Sequence, residues 1–149
     1  MSDPKSILVP TDFSAYSNAA LNKAVELAEQ YNSKIYLLHV VDQAIQQCSV
    51  DYCFTADLMN KLEEQSLKAS NDNLQKEVND IIGSKKLDVV SYVQQGNPAE
   101  VILREQQDKG IDLIVIASHG KTGLLKNLMG SVADKVIKGS KCPVLILKP

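Results

Sequence analysis

Apolar residues gather in four short unbroken runs: Ser6-Ile7-Leu8-Val9, Ile35-Tyr36-Leu37-Leu38-His39-Val40-Val41, Leu113-Ile114-Val115-Ile116-Ala117 and Val144-Leu145-Ile146-Leu147. Continuous apolar character, rather than alternation, is what strands buried on both faces of a parallel sheet require. A fifth run, residues 87–94, alternates through Leu87, Val89, Ser91 and Val93, the pattern of an edge strand with one wetter face. Between these runs the period lengthens to that of helices. Residues 14–31 place Ala20, Leu21, Ala24, Val25, Leu27 and Ala28 on one stripe. Residues 57–82 do the same with Leu58, Leu62, Leu67, Leu74, Val78, Ile81 and Ile82, and end at Gly83, a residue suited to a left-handed cap. Asn97-Pro98-Ala99-Glu100 combines an N-cap residue, a proline at the first helical position and Glu at the third, opening a helix that ends near Gly110. A last short helix starts at Ser131, with Asp134 three residues on, and stops at Gly139.

The order β-α-β-α-β-α-β-α-β with short connections predicts an α/β fold: a doubly wound, five-stranded parallel sheet with helices on both faces and right-handed crossovers. Residues 42–56 are the exception, being polar and without a period, and are expected to form a surface loop or a mobile flap. A length of 149 residues fits a single domain, residues 1–149. A chain of this size buries roughly two-thirds of its unfolded surface, enough to fold without a disulfide or a metal. The formal net charge of −2 gives no general pull toward nucleic acid or an anionic membrane. No apolar run approaches the roughly 20 residues that span a bilayer, and the start, Met1-Ser2-Asp3-Pro4-Lys5, lacks the regions of a signal peptide. A cytoplasmic location is therefore expected. Three cysteines, an odd number, argue against a disulfide framework. Cys142 reads as a small buried hydrophobe. Cys48 and Cys53 lie too far in sequence from His39 and His119 to complete a zinc pattern.

In an open α/β sheet, ligands bind beyond the carboxyl ends of the strands, where strand order reverses. Two predicted strand ends carry unusual residues. The first reads Pro10-Thr11-Asp12-Phe13-Ser14. The fourth opens a glycine-rich stretch, residues 117–131, which begins Ala117-Ser118-His119-Gly120-Lys121-Thr122-Gly123 and closes on Gly130-Ser131. Gly120 and Gly123 let a backbone approach a ligand closely. The helix start at Gly130-Ser131 offers free N–H groups and a dipole that favour an anion, and Lys121 and Lys126 add positive charge. Phosphate is the natural guest. A plainer reading, in which the glycines only turn the chain and Ser131 only caps a helix, is weakened by the convergence of glycines, lysines and a helix start at one strand end.

Standard phosphate motifs do not account for this loop. A Walker A pattern ending at Gly120-Lys121-Thr122 needs glycine at position 115, which is Val115. The turn after the first strand carries no Gly-x-Gly-x-x-Gly fingerprint. Asp12 has two compatible readings, as acceptor for a ribose hydroxyl or ligand of a metal ion, and, with Ser14, as a cap for the next helix. His119 has no Ser, Cys or carboxylate spaced to form a recognisable relay and reads as a polar loop histidine.

Taken together these segments resemble the universal stress protein family. The resemblance rests on Ile7-Leu8-Val9-Pro10-Thr11-Asp12-Phe13-Ser14, on Leu37-Leu38-His39-Val40-Val41, on Cys142-Pro143-Val144-Leu145-Ile146-Leu147, and on spacing. ATP-binding members carry Gly, two residues, Gly, nine residues, then Gly and Ser or Thr; here Ala117 is followed by Gly120, nine residues, and Gly130-Ser131. Ala117 stands where the pattern has its first glycine, and its methyl would matter only at positive φ or against the ribose. The resemblance covers essentially the whole chain. It implies a sheet of order 3-2-1-4-5, like that of the adenine nucleotide alpha-hydrolases. It also implies an ATP site, or one for ADP or AMP, with or without Mg²⁺. Pro10, Thr11 and Asp12 would contact adenosine and Val40 would lie beside the adenine. Ala117 and Gly120, with Ile116 alongside, would lie near ribose and phosphates, and Gly130, Ser131 and Val132 would bind phosphate. No catalytic residue or metal ligand is assigned. The implied function is a homodimeric module, paired through Val144–Leu147, that binds adenine nucleotide in stress response and signalling. Two alternatives stay open: slow ATP hydrolysis, with Asp12 placing a metal ion and Lys121 stabilising charge, and a nucleotide-independent dimer acting through protein partners.

Overall fold

Neighbouring residues in each apolar run serve two different cores. The computed structural model describes residues 2–42, 55–120 and 129–149. Its elements are β1 (Ser6–Pro10), α1 (Ala15–Tyr31), β2 (Lys34–Val41), α2 (Ala56–Ile81), β3 (Val89–Gln95), α3 (Pro98–Asp108), β4 (Leu113–Ala117), α4 (Ser131–Gly139) and β5 (Val144–Leu147). All strand pairings are parallel, as the alternation of elements predicts, and the order β3-β2-β1-β4-β5 is the one that the family resemblance implies. Ile7, Val9, Ile35, Leu37, Leu113, Val115 and Ala117 face α1 and α2, where they meet Leu21, Val25 and Leu74. The intervening Leu8, Leu38, Ile114 and Ile116 face α3 and α4, where they meet Ala99, Val101, Ile102, Ala133 and Val136. Each such side chain contributes roughly 1.5–3 kcal/mol when fully buried, so a strand with two covered faces cannot afford a polar alternation.

Helix ends follow local chemistry. Ser14 is the N-cap of α1 and accepts from Ser17 N at 3.2 Å, so the helix starts one residue later than the apolar stripe. Asn32 closes α1 at φ 56, and Ser33 N reaches back to Ala28 O at 3.2 Å, a bond that ends a helix by satisfying a free carbonyl. Thr55 and Asn97 cap α2 and α3. Gly83 takes the expected left-handed conformation after α2, at φ 55. The expected fifth run begins two residues late, at Val89, because Leu87 N is turned back to Lys85 O. β3 is nonetheless the edge strand predicted, with Val90 exposed. Along α2 the stripe is only partly used: Leu58 and Leu62 are 40% and 41% exposed, and burial is confined to Ser70, Leu74, Glu77 and the residues beyond. Cys142 is half-buried against the α3–α4 core. Cys48, Cys53 and most of residues 42–56 lie outside the described residues. No described helix is long and apolar enough to cross a membrane.

Candidate functional site

Strand order reverses between β1 and β4, whose other neighbours are β2 and β5. The chain leaves β1 through Thr11, which is tied on three sides. Its N–H donates to Leu38 O at 2.8 Å. Its carbonyl accepts from His39 Nδ1 at 2.8 Å, which places the ring hydrogen on Nδ1 because a carbonyl only accepts. Its hydroxyl lies 2.9 Å from both carboxyl oxygens of Glu77 on α2. Phe13 follows at φ 66, a conformation that costs a non-glycine residue about 1–3 kcal/mol unless its surroundings enforce it. The enforcement is visible: Phe13 N donates to Thr11 Oγ1 at 3.1 Å, and the Phe13 ring lies 4.3 Å from that of His39. Asp12 sits in this turn half-buried. Its Oδ1 accepts from Ser14 N and Ser17 Oγ, both at 3.0 Å, and Oδ2 points to Gly120, where a Cβ would lie only 2.7 Å away. Both sequence readings of Asp12 are thus compatible in one side chain, with Oδ1 ordering the turn and Oδ2 directed across the site.

The second strand end is organised by Ser118, which is buried. Its N–H donates to Leu147 O at 2.9 Å and its carbonyl accepts from Gly130 N at 2.7 Å, so Ser118 joins the end of β5 to the start of α4. Ser118 Oγ shares a 2.8 Å hydrogen bond with His119 Nδ1. Gly130, not Ser131, is the N-cap of α4, and it supplies no side-chain cap. The N-cap residue therefore offers the first N–H groups of α4 no side-chain acceptor, and the Ser131 hydroxyl is not spent as a cap. A Cβ on Gly130 would lie 3.0 Å from Ser118 O. Ala117 is not among the positive-φ residues, so its backbone conformation does not demand glycine.

These two ends and β2 enclose one cavity of about 360 Å³, within the usual range of ligand pockets. Its lining includes the ten residues that the family resemblance assigns to the site: Pro10, Thr11, Asp12, Val40, Ile116, Ala117, Gly120, Gly130, Ser131 and Val132. Leu38, Val40, Pro98, Ile102 and Ile116 make an apolar wall; Asp12 and the start of α4 supply opposite polarity elsewhere in the lining. Lys121, Thr122, Gly123 and Lys126 lie outside the described residues. Sequence reasoning missed Ser17, Pro98 and Ile102. Pro98 was legible as a helix start, but only the sheet order brings α3 to the cavity. It also missed Glu77, which stands behind the site and whose carboxyl is held above the usual carboxylate range. Burial is the main cause, Thr11's hydrogen bond opposes it, and the charge of Asp12 adds to it.

Comparison with known proteins follows the same line. Residues 4–148 match the universal stress protein family. Universal stress protein MJ0577 of Methanocaldococcus jannaschii is 36% identical, over 97% of this chain and 94% of the relative. A solved structure of hypothetical protein MJ0577 superposes with a TM-score of 0.84 at 30% identity, covering 99% of this chain and 98% of that one. Two more distant structures share the fold. One is a universal stress protein in complex with cAMP (TM-score 0.63, 22% identity, 99% and 98% covered). The other is the universal stress protein from Archaeoglobus fulgidus in complex with dAMP (TM-score 0.58, 19% identity, 99% and 100% covered).

Proposed function

The chain belongs to the universal stress protein family, and from that premise we propose that it is a homodimeric module binding an adenine nucleotide, ATP or its relatives ADP and AMP, in stress response and signalling. The observation that carries this reading is the cavity at the strand reversal, with an apolar wall, a carboxylate and an uncapped helix start held apart on one lining. An adenine ring suits the wall beside Val40 and Ile116, because its faces are apolar. Ribose hydroxyls suit Oδ2 of Asp12, which can only accept. Phosphates suit the other end, where the N–H groups at Ser131 and Val132 carry partial positive charge. The carboxylate repels phosphate, so the two ends orient the ligand. Proteins of the same fold are described with cAMP and dAMP, so the fold accommodates adenine nucleotides. Among the described residues no three His, Cys, Asp or Glu side chains could hold a metal by themselves; Mg²⁺ would enter on the phosphates, as is usual for that ion, with Asp12 as the carboxylate of the cavity lining. Dimerisation through β5 is supported by its position as an edge strand of half-buried apolar residues, a surface that proteins normally cover.

Isothermal titration with ATP, ADP and AMP, each with and without Mg²⁺, tests the reading. Saturable heat with one of them is the expected result. No heat and no thermal shift with any would overturn it and leave action through protein partners alone.

A further inference from the structure

We propose that Glu77 is a positioning residue of the nucleotide site, holding Asp12 in its working orientation through the Thr11 hydroxyl and the turn that this hydroxyl supports. The inference rests on the nucleotide reading above. Glu77 lies on α2, 66 residues from Thr11 in sequence, and is only 7% exposed. Its neighbours along the same helical face, Leu74 and Val78, pack on the core. A carboxyl group there is costly to bury, and no ion pair among the described residues involves it. An apolar side chain would serve packing better, so the acid is kept for what it holds.

What it holds is the Thr11 hydroxyl, at the root of the turn that carries Asp12. Glu77 Oε1 and Oε2 lie 2.9 Å from Thr11 Oγ1, Thr11 Oγ1 lies 3.1 Å from Ser17 Oγ, and Ser17 Oγ donates to Asp12 Oδ1 at 3.0 Å. Each hydroxyl has one hydrogen to give. With Thr11's hydrogen taken by Glu77, the Thr11 oxygen is turned to accept from Phe13 N–H, and the single Ser17 hydrogen faces Asp12 Oδ1 at 3.0 Å and Ser14 O at 3.1 Å. The same bond to Phe13 N–H supports the left-handed turn at φ 66 that carries Asp12 toward Gly120. Removing the acceptor at position 77 frees the Thr11 hydroxyl to turn to Ser17, loosens the turn and lets Oδ2 wander. Glu77 does not line the cavity; it acts through Thr11 on the turn that carries Asp12.

A double-mutant cycle read by calorimetry with ATP tests this. Glu77→Leu, which removes the acceptor, is expected to lower ATP affinity about tenfold, and Glu77→Gln, which keeps one, about threefold. In an Asp12→Asn background both factors fall to below about twofold, because the side chain being positioned has already been changed. Unaltered affinity in both single variants, or the same loss with and without Asp12→Asn, overturns the inference. Should Glu77→Leu fail to fold, the cycle is run on Glu77→Gln. If the parent protein binds no nucleotide at all, the functional reading fails by itself, and the link is still judged by carbon NMR of the Glu77 carboxyl. Asp12→Asn then lowers its titration midpoint if the two groups are coupled, and an unmoved midpoint overturns the coupling.

Discussion

Gly120 and Asp12 occupy one another's space: a Cβ on the glycine would lie 2.7 Å from Oδ2 of the carboxylate. Oδ1 of the same group is fixed by Ser14 N and Ser17 Oγ, so Asp12 cannot step aside without giving up its own anchors. The spacing of glycines that marks this loop in the sequence is, at this position, a requirement imposed by the side chain facing it.

Gly120→Ala is therefore expected to displace Asp12 and lower ATP affinity by about tenfold. Gly120 does not hold a positive φ, so the backbone tolerates alanine and the melting temperature should move by no more than about 4 °C. Calorimetric titration and thermal melting of the same sample separate the two effects.

Ala117 leads to the opposite expectation. It occupies the end of β4 without a positive φ, and its methyl belongs to the core facing α1. Ala117→Gly should lower stability by about 1 kcal/mol, without the gain in nucleotide affinity that a required glycine would bring. Urea unfolding gives the first quantity and calorimetry the second.

Glu77 makes stability depend on pH in a definite direction. Burial raises its carboxyl above its ordinary value of 4.5, so the folded protein holds that proton more tightly than the unfolded chain. Its contribution is complete below about pH 4.5 and is lost as pH rises through the raised native value. Glu77→Gln should therefore gain thermal stability over the parent as pH rises from about 4.5, levelling off once native Glu77 has ionised. Melting curves that stay parallel across that range would contradict this. The same variant weakens the site, so stability and binding are expected to move in opposite directions.

On the far face of the sheet, Tyr92 donates to Glu105 Oε2 at 3.0 Å, and Lys109 lies 3.2 Å from the same oxygen and 5.1 Å from the Tyr92 ring. Glu105 is buried, and both burial and its carboxylate push the Tyr92 phenol well above its ordinary value. Tyr92→Phe leaves that carboxylate with one partner fewer and is expected to cost about 1–3 kcal/mol, measured by urea unfolding, with no change in ATP affinity because Tyr92 does not line the cavity.

The proposed dimer has a backbone test. Pro143 O accepts from Ile114 N and Leu147 O from Ser118 N, just past β4, so by strand alternation Val144 and Ile146 turn their N–H groups outward. Ile146→Pro removes an outward donor without taking a bond from the β4 ladder. Light scattering should show the parent as a dimer and the variant as a monomer; a monomeric parent would end the proposal.

Much of this fold is legible because a parallel sheet covered on both faces leaves long apolar runs, and Ser6–Pro10 and Leu113–Ala117 stand out for that reason. The site is legible where backbone chemistry dictates residue type, as at Gly120, Gly130 and Asp12. Glu77 is not, since in sequence it lies between Lys76 and Asn79-Asp80 and reads as one more charge on a solvated face. Its burial follows from how α2 docks, which no local pattern encodes. The reverse holds for Leu58 and Leu62, which look like core positions and stay exposed on the first half of α2. Pro98 and Ile102 join the cavity wall only because α3 crosses behind β2, a consequence of strand order.

The division of the core between consecutive helix pairs has a consequence for synthesis. When residues 1–95 have emerged from the ribosome, β1, β2 and β3 can already gather under α1 and α2, yet Leu8 and Leu38 on the opposite face still await Ala99, Val101 and Ile102. β4, which lies between β1 and β5, arrives later still. The nascent chain thus passes through a half-roofed stage with one greasy side open to water, and it is during that interval, before α3 arrives, that a chaperone has most to hold.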